Sequence, residues 1–330
     1  MLFLQIILSL ILLIVILLSM KIMKMRRGRA RAEAEIAGMN IEKIKNPGTV
    51  KKLSIIPLID YYAESPELET EDGVSYLVKA DDTTILFDVG YNKAGEHPSP
   101  LLRNMKKLDI KVSDINMIFI THRHRDHVGG AAAESRDEFS ISAGPVKIKK
   151  VPVYAPSEIS PAQNHPDLPV TVVKEPLVID KGIVSIGAYP RSLFLIGYTV
   201  EHSLAVNIKG KGIVLIIGCG HQGIEAIIER AKQIFDEPIY GVIGGLHFPV
   251  NGGRMMLGPL NMQNIVGVDR NPFAGIREKD VESAIRLLKS LNLEFVSLSP
   301  HDSSDWALEK FKEAFGDKYF ELKVGREIKF

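Results

Sequence analysis

Cysteine is almost absent from this chain of 330 residues: Cys219 stands alone. One thiol cannot close an intramolecular disulfide, so the fold must be held by its core, and a reducing compartment suits it. Neither sign of charge is in excess, since 41 Lys and Arg meet 40 Asp and Glu for a net charge of +1. The basic excess of a nucleic-acid binder is missing, and no nucleic acid is expected as a partner. Solenoid repeats and low-complexity tracts are lacking too. Histidine is scarce, nine residues in all, which makes any clustering of it informative.

One long hydrophobic run breaks this even texture. Residues 1–20, MLFLQIILSLILLIVILLSM, carry no charged side chain, and about twenty apolar residues is the length a helix needs to cross a hydrocarbon core. Lys21, Lys24, Arg26, Arg27, Arg29 and Arg31 follow at once. A secretory signal places its positive charges before the apolar run; the reversed order is that of an anchor. The positive-inside rule then puts the N-terminus outside and everything after Lys21 in the cytoplasm, as a single-pass membrane protein. No face of the run is polar, which weighs against a buried helix of a soluble protein. Residues 21–52 read as a basic juxtamembrane helix or linker, interrupted at Asn46-Pro47-Gly48, with arginines that rest on anionic headgroups or are simply solvated. Residues 53–330 read as one catalytic domain.

Within that domain short β-type runs alternate with turn signals: LSIIPLID, VSYLVKA, TTILFDVG, INMIFITH, VKIKKVPVYA, VVKEPLVI, GIVSIGAY, LFLIGYTV and SLAVNIKGKGIVLIIGCG. The KGKG at Lys209–Gly212 marks a hairpin. Helical periodicity is clear in GIEAIIERAKQIF, in DVESAIRLLKSLN after a capping Asp280, and in DWALEKFKEAFG ending at Gly316. Strands dominate and helices come after particular strands, so the expected class is α+β, two sheets face to face with helices outside.

The stretch ITHRHRDHVGG carries the chemistry. A strand ending at Thr121 releases the next residues at a sheet edge, where loops build sites on a rigid frame. His122 and His124 leave an extended backbone on the same side, Asp126 and His127 come as the chain turns, and Gly129-Gly130 permits a tight bend. The cluster offers two imidazoles to one cation and a carboxylate with a third imidazole to another. Such donors suit zinc, and also iron or manganese. A solvated polar turn is the competing reading.

H-x-H-x-D-H between an apolar strand and Gly-Gly resembles the signature of the metallo-β-lactamase superfamily. TTILFDVG, ending in Asp88, is similar to an earlier strand of that family, and GIVLIIGCGHQGI, GGLHF and SLSPHDSSDWALEKF resemble motifs of one subgroup, the dihydropterin-linked ribofuranosylaminobenzene 5′-phosphate synthases. The resemblance implies an αββα four-layer sandwich and two divalent metal ions at the sheet edges. On that reading His122, His124 and His221 hold one ion, and Asp126, His127 and His301 the other. Asp126 also serves as the catalytic carboxylate, and Asp88 fixes a ligand imidazole from behind. His202 competes with His221 as the third histidine. Cys219, where relatives place a bridging aspartate, is a thiolate ligand or a small buried hydrophobe, and His247 touches metal or substrate or merely packs. Arg123 and Arg125 add positive charge that could attract an anionic substrate, although side chains at such positions commonly point into solvent.

Metal-dependent hydrolysis of a small anionic or phosphorylated molecule is one expectation, and a dihydropterin-type condensation is another, because the same donors serve both. A non-catalytic sensor on the same scaffold is a third. The sequence does not name the substrate or the oligomeric state.

Overall fold

Why this chain folds as layers is visible in one strand. Gly212–Ile217 reads GIVLII, and all six residues are buried. Ile213, Leu215 and Ile217 enter a hydrophobic cluster shared with helices, while Val214 and Ile216 enter one shared with the other sheet. A strand covered on both faces needs no polar alternation. Leu53–Ile59 does the same by a different device: a register shift between Pro57 and Ile59 sends Leu53 and Ile55 to the inter-sheet core and Leu58 and Ile59 to the outer one.

The structure, a computed structural model, describes residues 1–165, 167–270 and 274–330. Its first sheet has seven strands in the spatial order Ile328–Lys329, Leu53–Ile59, Ser75–Ala80, Thr83–Phe87, Met117–Phe119, Val153–Ala155 and Val170–Val172. The second has six, in the order Phe295–Leu298, Ile239–Gly244, Gly212–Ile217, Leu204–Ile208, Ile183–Ser185 and Leu177–Asp180. Leu101, Met105 and Ala133 bring the helices Pro100–Lys107 and Ala131–Ser135 onto the outer face of the first sheet. The helices Ile224–Ile234, Glu278–Ser290 and Asp305–Phe315 cover the second. The architecture is the expected αββα sandwich.

Strand direction positions the site. Thr83–Phe87 runs parallel to Met117–Phe119 in the first sheet, and Gly212–Ile217, Ile239–Gly244 and Phe295–Leu298 run parallel in the second. Their C-terminal ends deliver Asp88, His122, Cys219, His247 and His301 to one edge of the sandwich.

Three details differ from the sequence reading. VVKEPLVI is split between the sheets, Val172 ending a strand of the first and Leu177 opening one of the second. LFLIGYTV is not one strand: Tyr189–Leu193 pairs with Gly197–Glu201 as a separate hairpin, turned at Gly197, where φ is 96°. The helix expected to start after Asp280 begins at Glu278, and Asp280 sits inside its first turn, accepting the Arg277 N–H at 2.8 Å. An acidic residue there favours the helix by closing back on its capping position.

The N-terminal helix runs unbroken from Leu2 to Ala37 and is long and apolar enough to cross a membrane. Residues 2–17 of it are exposed, whereas Leu18, Ile22, Met25, Gly28, Ala32 and Ile36 form a covered stripe at helical spacing. Met25 and Ala32 are buried, and the helix packs on both strands of the Tyr189–Glu201 hairpin. Gly28 permits this, because a Cβ there would lie 2.3 Å from Ser192 Oγ. Beyond Ala37 the chain straps onto the second sheet, Ile44 N–H donating to Ile234 O and Val50 N–H to Asn207 O. The basic segment 21–52 is therefore helix and then strap, held to the body.

Candidate metal centre

The bend after Thr121 depends on Gly129. Its φ is 86°, and a Cβ there would lie 1.8 Å from Ser140 O, so the loop closes over His122–His127 only with glycine at that position.

Three ring nitrogens meet first. His122 Nε2 is 2.9 Å from His124 Nδ1, which is 3.2 Å from His221 Nε2. The far nitrogens of two of these rings are occupied: His122 Nδ1 meets Thr121 Oγ1 at 2.9 Å, whose hydroxyl donates to Asp88, and His124 Nε2 meets Thr199 Oγ1 at 3.2 Å. Burial, then the neighbouring imidazoles, pushes His124 down to about 3 and His122 and His221 well below their ordinary value. Neutral rings so tied present bare lone pairs to one another, and a shared cation removes that repulsion. Zinc–nitrogen bonds of about 2.0–2.1 Å in tetrahedral array put donor nitrogens about 3.3 Å apart, which the observed spacings approach.

A second group lies beside the first. Donor atoms of Asp126, His127, Cys219 and His301 all fall within 4.8 Å of one another, and those of His122, Cys219 and His221 do likewise. Cys219 belongs to both groups, with Sγ 3.0 Å from His127 Nε2 and 3.3 Å from His301 Nε2. Here carboxylates stand behind the rings. His127 Nδ1 donates to Asp88 at 2.7 Å, and His301 Nδ1 meets Ser299 Oγ at 2.6 Å, which in turn donates to Asp60 at 2.7 Å. Burial pulls His127 down, but Asp88 and Asp126 outweigh it and raise the imidazole to about 9. Burial and nearby carboxylates hold the Cys219 thiol well above its usual range; an adjacent cation would reverse that preference. Imidazoles backed by carboxylates, with their other nitrogens aimed at a common point, are how proteins orient metal ligands. The residues present fit two divalent cations.

The centre forms the floor of a cleft of about 790 Å³, whose walls include Asp72, Lys93, Asp126, Tyr198, His221 and His247.

Residues 69–224 match the model of the metallo-beta-lactamase superfamily. The 7,8-dihydropterin-6-methyl-4-(beta-D-ribofuranosyl)-aminobenzene-5'-phosphate synthase of Methanocaldococcus jannaschii is 24% identical over 321 residues, covering 87% of this chain and 100% of the relative. A solved metal-dependent hydrolase of the beta-lactamase superfamily aligns over 84% of this chain and 98% of its own, with TM-score 0.56 and 20% identity. The metallo-beta-lactamase fold protein YhfI of Bacillus subtilis aligns over 84% and 99%, with TM-score 0.52 and 16% identity. Residues 69–224 thus match the metallo-β-lactamase superfamily, and the fold of the body is the metallo-β-lactamase fold.

The superfamily uses divalent metals, and the structure brings together most of the candidate residues expected from sequence. Asp126, His127 and His301 converge with Cys219, and so do His122 and His221, with His124 against both of those rings and Asp88 behind His127. His202 does not join them. Its Nε2 donates to Ile120 O at 3.0 Å, its Nδ1 meets Ser185 Oγ at 2.9 Å, and its ring stacks on Phe119. Burial lowers it to about 3, and both nitrogens are spent on structure. His247 lies 4.8 Å from His221 between ring centres, lines the cleft, and has no partner for either ring nitrogen among the described residues. Arg123 and Arg125 line the cleft with Lys93 and pair with Asp137 and Glu134 at its rim.

Glu201 was not singled out by sequence. It is buried and accepts the backbone N–H groups of Cys219, Gly220 and His221 at 2.8–2.9 Å, holding the loop that carries two candidate ligands. Burial lifts its carboxyl to about 7, against the pull of those three amides. The available signal was parity: Thr199 and Glu201, two apart on one strand, both reach the site, while His202 turns away.

Proposed function

We propose that this protein is a membrane-tethered, metal-dependent hydrolase working with two divalent ions, zinc or else iron or manganese, on a small anionic or phosphorylated substrate. The observation that carries the reading is the pair of converging donor groups that share Cys219. Bound there, the cations supply Lewis-acid polarisation of a carbonyl or phosphoryl oxygen and lower the pKa of water.

The chain's own residues supply the rest. Asp126, a quarter exposed, faces the cleft, where it orients an attacking water and takes its proton. His247, beside His221 in the cleft wall, is the candidate substrate contact. Asp88, Ser299 with Asp60, and Glu201 hold the donors in place so that little reorganisation is left for the reaction.

A dihydropterin-type condensation is the second reading, favoured by the M. jannaschii synthase aligning over its whole length. It uses the same residues, with positioning in place of water activation. A catalytically idle sensor is the remaining alternative.

The test is metal analysis of the purified full chain in detergent. About two equivalents, with turnover of a generic phosphodiester or lactone that Asp126→Ala abolishes, is the expected result. Metal without hydrolysis would move the assignment to the synthase or the sensor, and absence of stoichiometric metal would sink all three. Proteolysis of sealed right-side-out vesicles tests the orientation: digestion of the body from outside would contradict a cytoplasmic catalytic domain and an external N-terminus.

A further inference from the structure

Two hairpins that belong to neither sheet stand at the cleft, one lining it and the other beside it. One is Tyr189–Leu193 with Gly197–Glu201, turned through Leu195 and Ile196; the other is Met256–Leu257 with Leu260–Asn261. Leu195, Ile196 and Met255 line the cleft, and Met256, Leu257 and Leu260 continue the apolar surface beside it. Outside the N-terminal helix, nine large apolar side chains are exposed among the described residues, and these are six of the nine, each keeping 42–64% of its surface. Scattered exposed apolar residues need no explanation, but a concentration of them at one mouth marks an interaction surface.

The N-terminal helix says what that surface meets. Leu2–Met20 rises about 1.5 Å per residue to span about 28 Å, close to a hydrocarbon core of about 30 Å. Without a break, the same helix then packs on the Tyr189–Glu201 hairpin: Gly28 abuts Ser192, Arg31 lies 4.3 Å over the Tyr198 ring, and Glu35 takes the Tyr198 hydroxyl. Gly28 is only about 12 Å along the axis from Met20. The hairpin that frames the cleft therefore begins at the level of the headgroups. Lys21, Lys24, Arg26 and Arg27 are exposed in the intervening turns, where basic side chains complement anionic lipid.

We propose that these two hairpins are an interfacial lip: they sit in the headgroup–acyl boundary of the bilayer that holds the helix, and the cleft takes its substrate from that bilayer, a membrane amphiphile whose polar head reaches Asp126 and His221 while its hydrocarbon chain lies along Leu195, Ile196 and Met255. The proposal rests on the anchored metal-enzyme reading above and narrows its substrate. Short apolar side chains at the boundary, beside a cationic girdle, are the ordinary means by which a protein rests in a lipid interface.

The full chain is reconstituted into phosphatidylcholine–phosphatidylglycerol vesicles with a polarity-sensitive probe at Ile196→Cys, Leu257→Cys or Asp82→Cys. Asp82 is exposed in the strand turn at the opposite end of the first sheet, and the wild-type chain, whose one thiol is buried, is the blank. Probes at 196 and 257 should shift to the blue and be quenched several-fold more strongly than the probe at 82 by lipid carrying a headgroup-proximal nitroxide. Equal quenching at all three overturns the lip. So does shielding from aqueous iodide without quenching by nitroxide lipid, which would mean that a second protein covers the surface. Alkaline carbonate extraction tells the causes apart: a retained chain with wet probes loses only the lip, and an extracted chain loses the anchor as well. Metal content of the same sample reports on the metal reading independently. For the substrate, dodecyl phosphate should raise the melting temperature of the metal-loaded chain where inorganic phosphate at equal concentration does not. That excess should vanish in the Leu195→Asp, Ile196→Asp variant; equal shifts from the two ligands overturn the amphiphile.

Discussion

The two halves of the donor cluster are built from the same kind of ring and supported differently. In the His122–His124–His221 half, Asp88 reaches His122 only through the Thr121 hydroxyl, the Thr199 hydroxyl stands behind His124, and the rear nitrogen of His221 is buried with no partner among the described residues. In the other half, Asp88 stands directly behind His127, and Asp60 behind His301 through Ser299. A carboxylate behind an imidazole raises its basicity and fixes its tautomer; a hydroxyl mainly fixes its orientation. Only His127 has a carboxylate directly behind it, so an ion bound in the Asp126 half would be held more by charge and one in the three-imidazole half more by geometry, and that division can be broken by experiment.

The largest effect belongs to the acidic half. Asp126→Ala should lower turnover by about 10²–10⁴-fold and leave the three-imidazole half loaded, so that metal analysis falls by one ion while activity is lost. Unchanged turnover would remove Asp126 from the chemistry.

Next comes the buried carboxylate behind His301. Burial raises Asp60 from 3.8 to about 6 in the folded chain, against hydrogen bonds from Ser299, Tyr61 and Tyr76. Between those values the folded state binds more protons than the unfolded state, so this contribution is complete below about pH 4 and lost as pH rises through about 6. A shift of that size corresponds to about 3 kcal/mol. Denaturant titration of the metal-free chain should show stability falling across that window and a flatter profile in Asp60→Asn; identical slopes would place the titration elsewhere.

Smaller again is the contrast between the supports themselves. Asp88→Asn should weaken metal binding about 10–100-fold, and Thr199→Val should cost less because only a neutral hydroxyl is lost. Competition against a chelating dye measures both, and a reversed order would break the division between charge and geometry. The smallest change is His202→Phe, which keeps the stacking surface for Phe119 but strands Ile120 O. It should cost about 1–2 kcal/mol of stability with metal content untouched; loss of metal would return His202 to the ligand set.

Legibility in the sequence tracked distance along the chain. His122, His124, Asp126 and His127 were readable because one strand end and one glycine bend carry them all. His221 and His301 were readable as histidines at the ends of buried strands. Choosing His221 over His202 was not a matter of spacing: His202 comes directly after the cleft-side residues of its strand and simply turns the other way, toward Ser185 and Ile120. Glu201, Ser299 and Asp60 went unread because a supporting group is defined only by what lies in front of it, and that partner arrives from another strand. Arg123 and Arg125 looked like free charge until Asp137 and Glu134 came round the loop to pair with them.

Taken alone, the order of residues determined a span-length apolar helix, a layered α+β body and a histidine-rich strand end, since each depends on the period or local chemistry of a short segment. Only the tertiary structure decided that Cys219 stands between two donor groups, that Asp88 stands directly behind His127 but reaches His122 only through Thr121, and that the helix seats on the hairpin beside the cleft. Those relations join segments far apart in the chain, and they exist only once two sheets have closed on a common core.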